Sequence, residues 1–262
     1  MVTIDLEKCI GCFNCVSACP FLVLRAEEDK AAVDKAERCI LCLHCAAACP
    51  ANAVTLGNFE GVLPGDFPEL PVDAGQRMEN LLMTRRSYRH FKPEPVPRDV
   101  LENAFRVSAW APSAKNQHPA KWIVIDNGDT IKKIMDHILG YIEETGKFPE
   151  VANVYKEGHN PVLGNAGTII LVYARTSDIY PTIDTALALY NTDLMLQSQG
   201  FGTCWAGYLT RVCHEVPALR DILDLPEDCR VYGALLAGYP ETEAERYVHI
   251  PNRLKQPDIK WL

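Results

Sequence analysis

The sequence predicts an α+β protein in two parts, a small cysteine-rich domain and a larger domain in which helices surround a small sheet. Eight of the eleven cysteines lie within the first 50 residues. Seven of the nineteen residues from 57 to 75 are Gly or Pro, which is typical of a linker. Beyond it, β-branched runs alternate with longer segments of helical periodicity. We therefore expect a first domain at residues 1–58, a linker at 59–75 and a second domain at 76–262.

The first domain contains two copies of the pattern C-x2-C-x2-C-x3-C-P, thirty residues apart. The flanking residues repeat as well, as expected of a duplicated unit. This spacing is that of bacterial ferredoxins, in which the fourth cysteine of each run binds the other cluster. It therefore predicts two 4Fe–4S clusters. The ligands of one cluster are Cys9, Cys12, Cys15 and Cys49, and those of the other are Cys39, Cys42, Cys45 and Cys19.

Zinc and disulfides are the alternative interpretations of these cysteines. A structural zinc site usually has two C-x-x-C arms with a longer gap between them, not three cysteines separated by two residues each. Disulfides would suit an oxidising compartment, but the N-terminal residues do not read as a signal peptide and no run reaches membrane-spanning length. We therefore expect a cytoplasmic protein. Because about sixty residues form little core, the clusters would also tie the first domain together.

The charge of the chain argues against two classes of partner. The net charge is −8, of which −3 falls on the first sixty residues and −5 on the rest. An acidic chain without a basic face does not suit nucleic acid, and the lack of an apolar span does not suit a membrane. The three cysteines outside the repeated pattern are expected to be small buried hydrophobic residues. They are Cys204, Cys213 and Cys229.

Periodicity in the second domain predicts four helices and four strands. The helices are expected at 76–86, 97–110, 128–141 and 181–199. The strands are expected at 121–126, 167–174, 202–207 and 230–238. Residues 140–164 form a long segment that carries three aromatic residues. We expect them either to line the open face of a bound cofactor or to pack as a surface loop.

Three segments of the second domain resemble the FMN-dependent nitroreductase family. The first motif is Arg85–Phe91, the second is Ala111–Pro119 and the third is Gly200–Gly207. Their order and spacing along residues 76–240 are also similar to those of the family. With the ferredoxin-type first domain, the resemblance covers nearly the whole chain. It implies an FMN-dependent oxidoreductase of nitroreductase-like α+β fold.

The first motif offers the cations that FMN requires. Arginine can bind a phosphate through two parallel hydrogen bonds and can stabilise the negative charge of a reduced flavin ring. The resemblance implies that Arg85, Ser87 and Arg89 lie along the phosphate, the ribityl chain and the pyrimidine edge, with Arg86 also at the cofactor. The alternative is a solvated helix end, where cations are favoured.

The second motif implies an oligomer. Its prolines and small residues break a helix and allow the backbone to approach a flat ligand. In the family this segment usually reaches the flavin bound by the other protomer. The resemblance therefore implies a homodimer in which Pro112, Ser113 and Asn116 contact FMN across the interface.

The third motif implies backbone contacts. By resemblance, the N–H groups near Ala206 and Gly207 face flavin N5 and O4, with Trp205 beside them. Some relatives carry Glu directly before that glycine, and this chain has Ala206 there. Near the C-terminus, Arg253 is expected either to add a phosphate contact or to be a solvated basic residue.

These features predict a redox enzyme in which a low-potential donor, such as a reduced ferredoxin, supplies FMN through two clusters and FMN reduces a small organic acceptor. No side chain is assigned as catalytic. One alternative is an electron-transfer subunit of a larger complex. Others are reductive dehalogenation, ene reduction or flavin destruction on the same fold. In a further alternative NAD(P)H reduces FMN and the clusters are structural or sense redox state, although no dinucleotide fingerprint is present.

Overall fold

The computed structural model describes residues 2–57, 70–241 and 258–261. They form two compact units, one made of residues up to 72 together with 115–117 and the other of the remaining residues from 73 onward. Much of the predicted linker lies outside the described residues, so the domain boundaries stay a prediction. No described helix is long and apolar enough to cross a bilayer.

The first unit reflects the duplication in its sequence. Its elements are β1 (Val2–Ile4), α1 (Asn14–Ser17), β2 (Leu24–Glu27), β3 (Lys30–Val33), α2 (His44–Ala47) and β4 (Val54–Leu56). The strands form two antiparallel pairs, β1 with β4 and β2 with β3. The core between them is small and includes the buried Cys15 and Cys45 from the two one-turn helices. A core in which cysteines replace aliphatic residues fits a domain held together by what those cysteines bind.

The second unit contains seven helices and four strands among its described residues. The helices are α3 (Ala74–Thr84), α4 (Arg98–Ser108), α5 (Gly128–Thr145), α6 (Pro149–Lys156), α7 (Pro181–Ser198), α8 (Gly207–Glu215) and α9 (Pro217–Ile222). The strands are β5 (Lys121–Ile125), β6 (Thr168–Arg175), β7 (Gly202–Trp205) and β8 (Cys229–Gly238). The sheet is antiparallel throughout, in the order β5-β6-β8-β7.

The sheet lies between two layers of helices. On β6, Ile169 and Leu171 belong to one hydrophobic cluster while Ile170 and Val172 belong to the other, as the alternation of side chains along a strand requires. Helices α4 and α7 cover the second face, and α5, α6, α8 and α9 cover the first. The predicted α+β fold class is therefore confirmed, and β6 is nearly all apolar because both of its faces are covered.

The structure corrects the prediction for residues 140–164. Helix α5 runs through Gly140, ends at Gly146 with φ of 66°, and is followed by α6. The predicted helix ended at residue 141, whereas α5 continues for one more turn to the left-handed Gly146, which is the C-terminal signal. Helices α8 and α9 were also missed. The strand expected to reach 207 ends at Trp205 because α8 begins at Gly207.

Candidate functional site

Each cysteine run of the first unit folds into a loop with alternating left-handed residues. In the first copy Gly11 and Phe13 have φ of 70° and 58°, and in the second Leu41 and Leu43 have φ of 54° and 63°. Left-handed residues turn the chain tightly, which lets three closely spaced cysteines face a common centre. A Cβ atom at Gly11 would collide with the carbonyl oxygen of Asp29, so only glycine fits there.

Three of the cysteines predicted for one cluster are electrostatic neighbours. Burial raises the pKa of the Cys15 thiol, and the nearby thiols of Cys49 and Cys9 raise it further. The Sγ atom of Cys49 accepts a hydrogen bond from the backbone N–H of Ala53 at 3.2 Å. The backbone N–H of Ala31 is the main cause of a lowered pKa at Cys9. Donors of this kind stabilise thiolates and help to set the potential of a bound cluster.

The second group combines Cys19 of the first copy with three cysteines of the second. Burial raises the pKa of Cys45 to about 11, and Cys19, Cys42 and Cys39 add to the shift. All four line one cavity. Cys19 accepts an N–H bond from Val23 at 3.4 Å, at the position that corresponds to the Cys49–Ala53 bond thirty residues later.

A single ion and a cluster require different arrangements of their ligands. Within the described residues, no three His, Cys, Asp or Glu side chains converge as they would around one metal ion. A zinc ion would draw four ligand atoms to within about 2.3 Å of one point. An iron–sulfur cube instead distributes its four thiolates over four iron atoms. All eleven cysteines are free thiols and all lie in described residues, so none forms a disulfide.

In the second unit, the first motif lies directly against the third. Ser87 forms a parallel bridge with Thr203 on the edge strand β7. The backbone N–H of Tyr88 donates to the carbonyl oxygen of Thr203 at 2.8 Å. A Cβ atom at Gly202 would lie 2.8 Å from Cγ of Tyr88, so the glycine of the third motif is what allows the first to pack there.

Two polar side chains of α7 hold the two arginines at the start of the first motif. The amide of Gln197 accepts from the N–H of Arg86 and donates to its carbonyl oxygen, both at 2.9 Å. The carboxylate of Asp193, which is fully buried, places Oδ2 3.4 Å from Nε of Arg85. These two α7 residues were missed from the sequence. The signal was there, because they are ionisable or polar residues on a helix that is otherwise apolar enough to be enclosed.

The remaining polar groups of the first motif are accessible. Ser87 and Arg89 are exposed, and Nη1 of Arg89 donates to the carbonyl oxygen of Ser87 at 3.1 Å. Burial raises the pKa of the Cys204 thiol, with Arg89 the largest opposing influence, so Cys204 lies beneath this cationic surface. The first motif is therefore fixed at Arg85 and Arg86 by α7, and it exposes a cationic edge at Ser87 and Arg89 that an anion can reach.

The third motif ends at the N-terminus of a helix. Ala206 is buried and its N–H donates to the carbonyl oxygen of Ala234 at 2.9 Å, which fixes the turn from β7 into α8. Trp205 is exposed, and no atom lies within 4 Å of a Cβ built on Gly207. The first N–H groups of α8 have no partner within the helix, so the space beside Gly207 faces hydrogen-bond donors and the positive end of a helix dipole.

The second motif is anchored at the other end of α7. The N–H of Ala114 donates to both carboxylate oxygens of the buried Asp184, at 3.1 and 3.2 Å. Lys115, Asn116 and His118 all have left-handed φ, which is uncommon outside glycine and concentrates at binding sites. Two of the predicted contact residues, Pro112 and Ser113, precede this strained turn, and Ser113 Oγ accepts from the N–H of His118 at 2.9 Å.

Within one chain, the second motif is not brought together with the other two. Asp184, which holds the second motif, and Asp193, which holds the first, are nine residues apart on α7. Nine residues correspond to about 14 Å of rise and two and a half turns, so the two carboxylates lie on opposite faces of the helix. The chain therefore presents its three motifs at two separate places.

Residues 140–164 pack against α8. Arg211 lies 4.4 Å from the ring centroid of Phe148, and the hydroxyl of Tyr208 hydrogen-bonds to Glu150 at 3.2 Å. Nζ of Lys147 is 2.9 Å from the carboxylate of Glu215. Of the two roles expected for this segment, packing is the one these contacts support.

The other predicted residues lie as follows. Cys204 and Cys229 are buried, and Cys213 is partly buried with its pKa raised by burial to about 12. These properties agree with their interpretation as small hydrophobic residues. Arg253 lies outside the described residues, so its expected phosphate contact stays a prediction.

Comparison with known proteins gives two family matches. The nitroreductase family model matches residues 82–239, and the 4Fe-4S dicluster domain matches residues 1–50. An iodotyrosine deiodinase of Nematostella vectensis is 27% identical over 209 residues, which cover 73% of this chain and 78% of that protein. A protein of Archaeoglobus fulgidus named "Putative NADH dehydrogenase/NAD(P)H nitroreductase" is 27% identical over 172 residues, covering 64% of this chain and 87% of its own length.

Solved structures show the same fold. An FMN-bound nitroreductase of Bacteroides fragilis has a TM-score of 0.54 at 24% identity, covering 70% of this chain and 94% of that one. An FMN-bound nitroreductase of Desulfitobacterium hafniense has a TM-score of 0.57 at 19% identity, covering 71% and 97%. Because the first family model spans more than half of the sequence and includes all three motifs, the chain belongs to the nitroreductase family, with a 4Fe-4S dicluster domain at its N-terminus.

Proposed function

We propose that this protein is a cytoplasmic iron–sulfur flavoprotein oxidoreductase. In this proposal, electrons from a low-potential donor pass through two 4Fe–4S clusters to FMN, which reduces a small organic acceptor. The observation that carries the proposal is the pairing of the first motif with the third through Ser87 and Thr203, supported by the polar side chains of Gln197 and Asp193 on α7. This pairing supports a site in which the exposed cationic groups of the first motif and the N-terminus of α8 both serve a planar anion such as FMN.

The residues present fit FMN. Arg85, Ser87 and Arg89 would lie along the phosphate, the ribityl chain and the pyrimidine edge, with Arg86 also at the cofactor, and the arginines would supply charge-assisted hydrogen bonds. The N–H groups at the start of α8 would face the flavin ring at Gly207, next to Ala206 and Trp205. When bound, FMN supplies the conversion between one- and two-electron transfer, and these side chains supply orientation and electrostatics.

The proposed assembly is a homodimer with FMN at the interface. The separation of the two anchoring aspartates along α7 supports it, because the second motif needs another chain to reach a flavin bound by the first and third. Helix α7 also exposes Ile183, Leu187 and Tyr190, at spacings that place them on one stripe. An exposed apolar stripe on a central helix is typical of a surface covered by a partner. Pro112, Ser113 and Asn116 of the partner subunit would then contact FMN.

The number and ligands of the clusters are part of the proposal. The groups formed around Cys15 and around Cys45 support two clusters with crossed fourth ligands. Two 4Fe–4S clusters correspond to about eight iron atoms per chain. Eight cysteines stay reduced, and so available as cluster ligands, in a reducing compartment, which supports a cytoplasmic location.

A second candidate is an NAD(P)H-dependent reductase in which the clusters are structural or sense redox state. The name of the Archaeoglobus fulgidus relative favours it. The name of the Nematostella vectensis relative adds reductive dehalogenation to the candidate reactions. Both relatives match about two thirds to three quarters of this chain, so neither match spans it completely.

The experiment that separates these candidates follows the flavin absorption band after anaerobic mixing. The holoprotein is mixed separately with NADH, NADPH and a reduced ferredoxin, alongside the variants Cys12→Ser and Cys42→Ser. Our proposal expects fast bleaching only with reduced ferredoxin, and loss of that bleaching in both variants while FMN stays bound. Fast bleaching by a nicotinamide, or unchanged bleaching in the cysteine variants, would contradict it.

A further inference from the structure

Asp193 is a fully buried carboxylate that lies beneath the first motif. Its Oδ1 accepts hydrogen bonds from Nε2 of Gln197 at 2.8 Å and from the hydroxyl of Thr203. Its Oδ2 lies 3.4 Å from Nε of Arg85, in an ion pair without hydrogen-bond alignment. The Arg85 side chain is 18% exposed, whereas Asp193 is fully buried. Asp193 can therefore influence a bound cofactor electrostatically through Arg85.

The network around Asp193 joins the elements that build the flavin side of the site. Gln197 links it to the backbone of Arg86, and Thr203 links it to β7 of the third motif. Because a buried carboxylate is costly unless it is paired and hydrogen-bonded, each of these contacts constrains the others. The network holds Arg85 in one place and balances part of its charge.

We infer that Asp193 is a positioning residue that lowers the preference of the site for reduced over oxidised FMN by partly neutralising Arg85. This inference rests on the proposed function, in which Arg85 contacts FMN. Reduced flavin is the more negative form, so an unbalanced Arg85 would stabilise it more than the oxidised form. Charge pairs interact strongly in a site of low dielectric, which lets a residue without contact to the cofactor change its potential.

The variant Asp193→Asn tests this, because it keeps the size of the side chain and the Oδ1 acceptor but removes the charge. The reduction potential of bound FMN is measured anaerobically in the holoprotein, with FMN-depleted protein titrated in parallel to subtract the clusters. We expect the ratio of affinities for reduced and oxidised FMN to rise about tenfold, a positive shift of about 30 mV for a two-electron couple. An unchanged potential would overturn the inference.

A matched control is Thr192→Val. Thr192 is equally buried and adjacent on α7, but its hydroxyl donates only to the helix carbonyl of Ala188, at 3.1 Å. We expect it to leave the potential unchanged, whereas a purely structural role for Asp193 predicts that the two variants change stability and not potential. If Asp193→Asn does not fold, Thr203→Val carries the test. Thr203→Val removes a hydrogen-bond donor to Asp193, so the carboxylate would neutralise Arg85 more strongly. We therefore expect a negative shift of the FMN potential, and no shift would overturn the inference.

The variant Arg85→Gln separates this inference from the proposed function. If Arg85→Gln binds FMN as tightly as the wild type, the proposed FMN site is wrong. If Arg85→Gln weakens FMN binding but Asp193→Asn leaves the potential unchanged, only the inference fails. The double variant, assayed at saturating FMN, should have the same flavin potential as Arg85→Gln alone, because Asp193 acts through Arg85.

Discussion

The two units of this chain build their sites in opposite ways. In the first, every predicted ligand lies within about fifty residues, on two loops whose left-handed turns repeat, and the cysteines are themselves part of the core. In the second, the candidate site depends on the packing of residues that are not themselves part of it. The first and third motifs are more than a hundred residues apart and meet at β7, where side chains of α7 bind the first motif. The second motif is bound by a different part of α7. A metal-cluster site can thus be encoded locally, whereas a site for a large planar cofactor is encoded by the fold.

We expect the largest effect from Arg85→Gln, which should weaken FMN binding and leave the cluster unit unchanged. Losing a partly buried guanidinium that pairs with an anion removes about 1.5–3 kcal/mol, so FMN should bind about 10- to 100-fold more weakly. The iron content should stay at the wild-type value, because the cluster unit does not depend on this residue. The control is Arg106→Gln, which removes an exposed arginine of α4. Fluorescence of released FMN and an iron assay measure both quantities, and equal FMN affinity in the two variants would contradict the account.

The next largest effect concerns the first unit alone. In Gly11→Ala, the new Cβ would meet the carbonyl oxygen of Asp29, and the residue would also be forced into a left-handed conformation that costs about 1–2 kcal/mol. We expect loss of iron from one of the two clusters, with FMN binding unchanged. Leu41→Ala at the equivalent position is the matched control, because Leu41 already has φ of 54° with a side chain in place. A full iron content in Gly11→Ala would show that the cluster loops tolerate more distortion than we infer.

A charge on the exposed stripe of α7 tests the proposed homodimer with FMN at its interface. Leu187→Lys should shift the protein from dimer to monomer in sedimentation and weaken FMN binding about tenfold, since the second motif of the partner would be lost. The iron content should not change. Leu22→Lys places the same charge on an exposed apolar residue of the first unit and should leave the dimer intact. A Leu187→Lys dimer of wild-type stability would contradict the proposed interface.

Much of this arrangement was predictable from the sequence, and the exceptions have physical reasons. The cysteine spacing and the three motifs are short patterns of residue types, and they predicted the family that the comparisons confirm. Asp193, Gln197 and Asp184 were missed because each acts by supporting another segment, and that relation exists only after α7 is packed. The last turn of α5 and the helix α6 were not predicted, because Gly146, which ends α5, differs from the helical Gly140 in φ, and φ is not visible in the sequence.

The smallest expected effect lies at the contact between α8 and the end of α5. Lys147 holds the pKa of Glu215 below its ordinary range, chiefly through their hydrogen bond. A lowered pKa in the folded state means that the carboxylate stabilises the fold at neutral pH and that this contribution is lost as the pH falls below about 4. Glu215→Gln should therefore melt slightly below the wild type at pH 7, with the difference shrinking as the pH falls through this range. The clusters contribute equally to both proteins, so the difference in melting temperature reports on Glu215 alone. A difference that does not change with pH would contradict the assignment of this effect to the Glu215 carboxylate.

A mixed dimer tests most directly whether the flavin site needs two chains while the cluster site needs one. One chain carries Arg85→Gln and the other carries Ser113→Trp, which would block the face that the second motif presents. Each homodimer should bind FMN weakly. In the mixed dimer, the Ser113→Trp chain keeps its Arg85 and receives an intact second motif from its partner, so the account predicts one tightly bound FMN per dimer and about eight iron atoms per chain. A mixed dimer with no tightly bound FMN would place all three motifs of each site in the same chain and contradict the account.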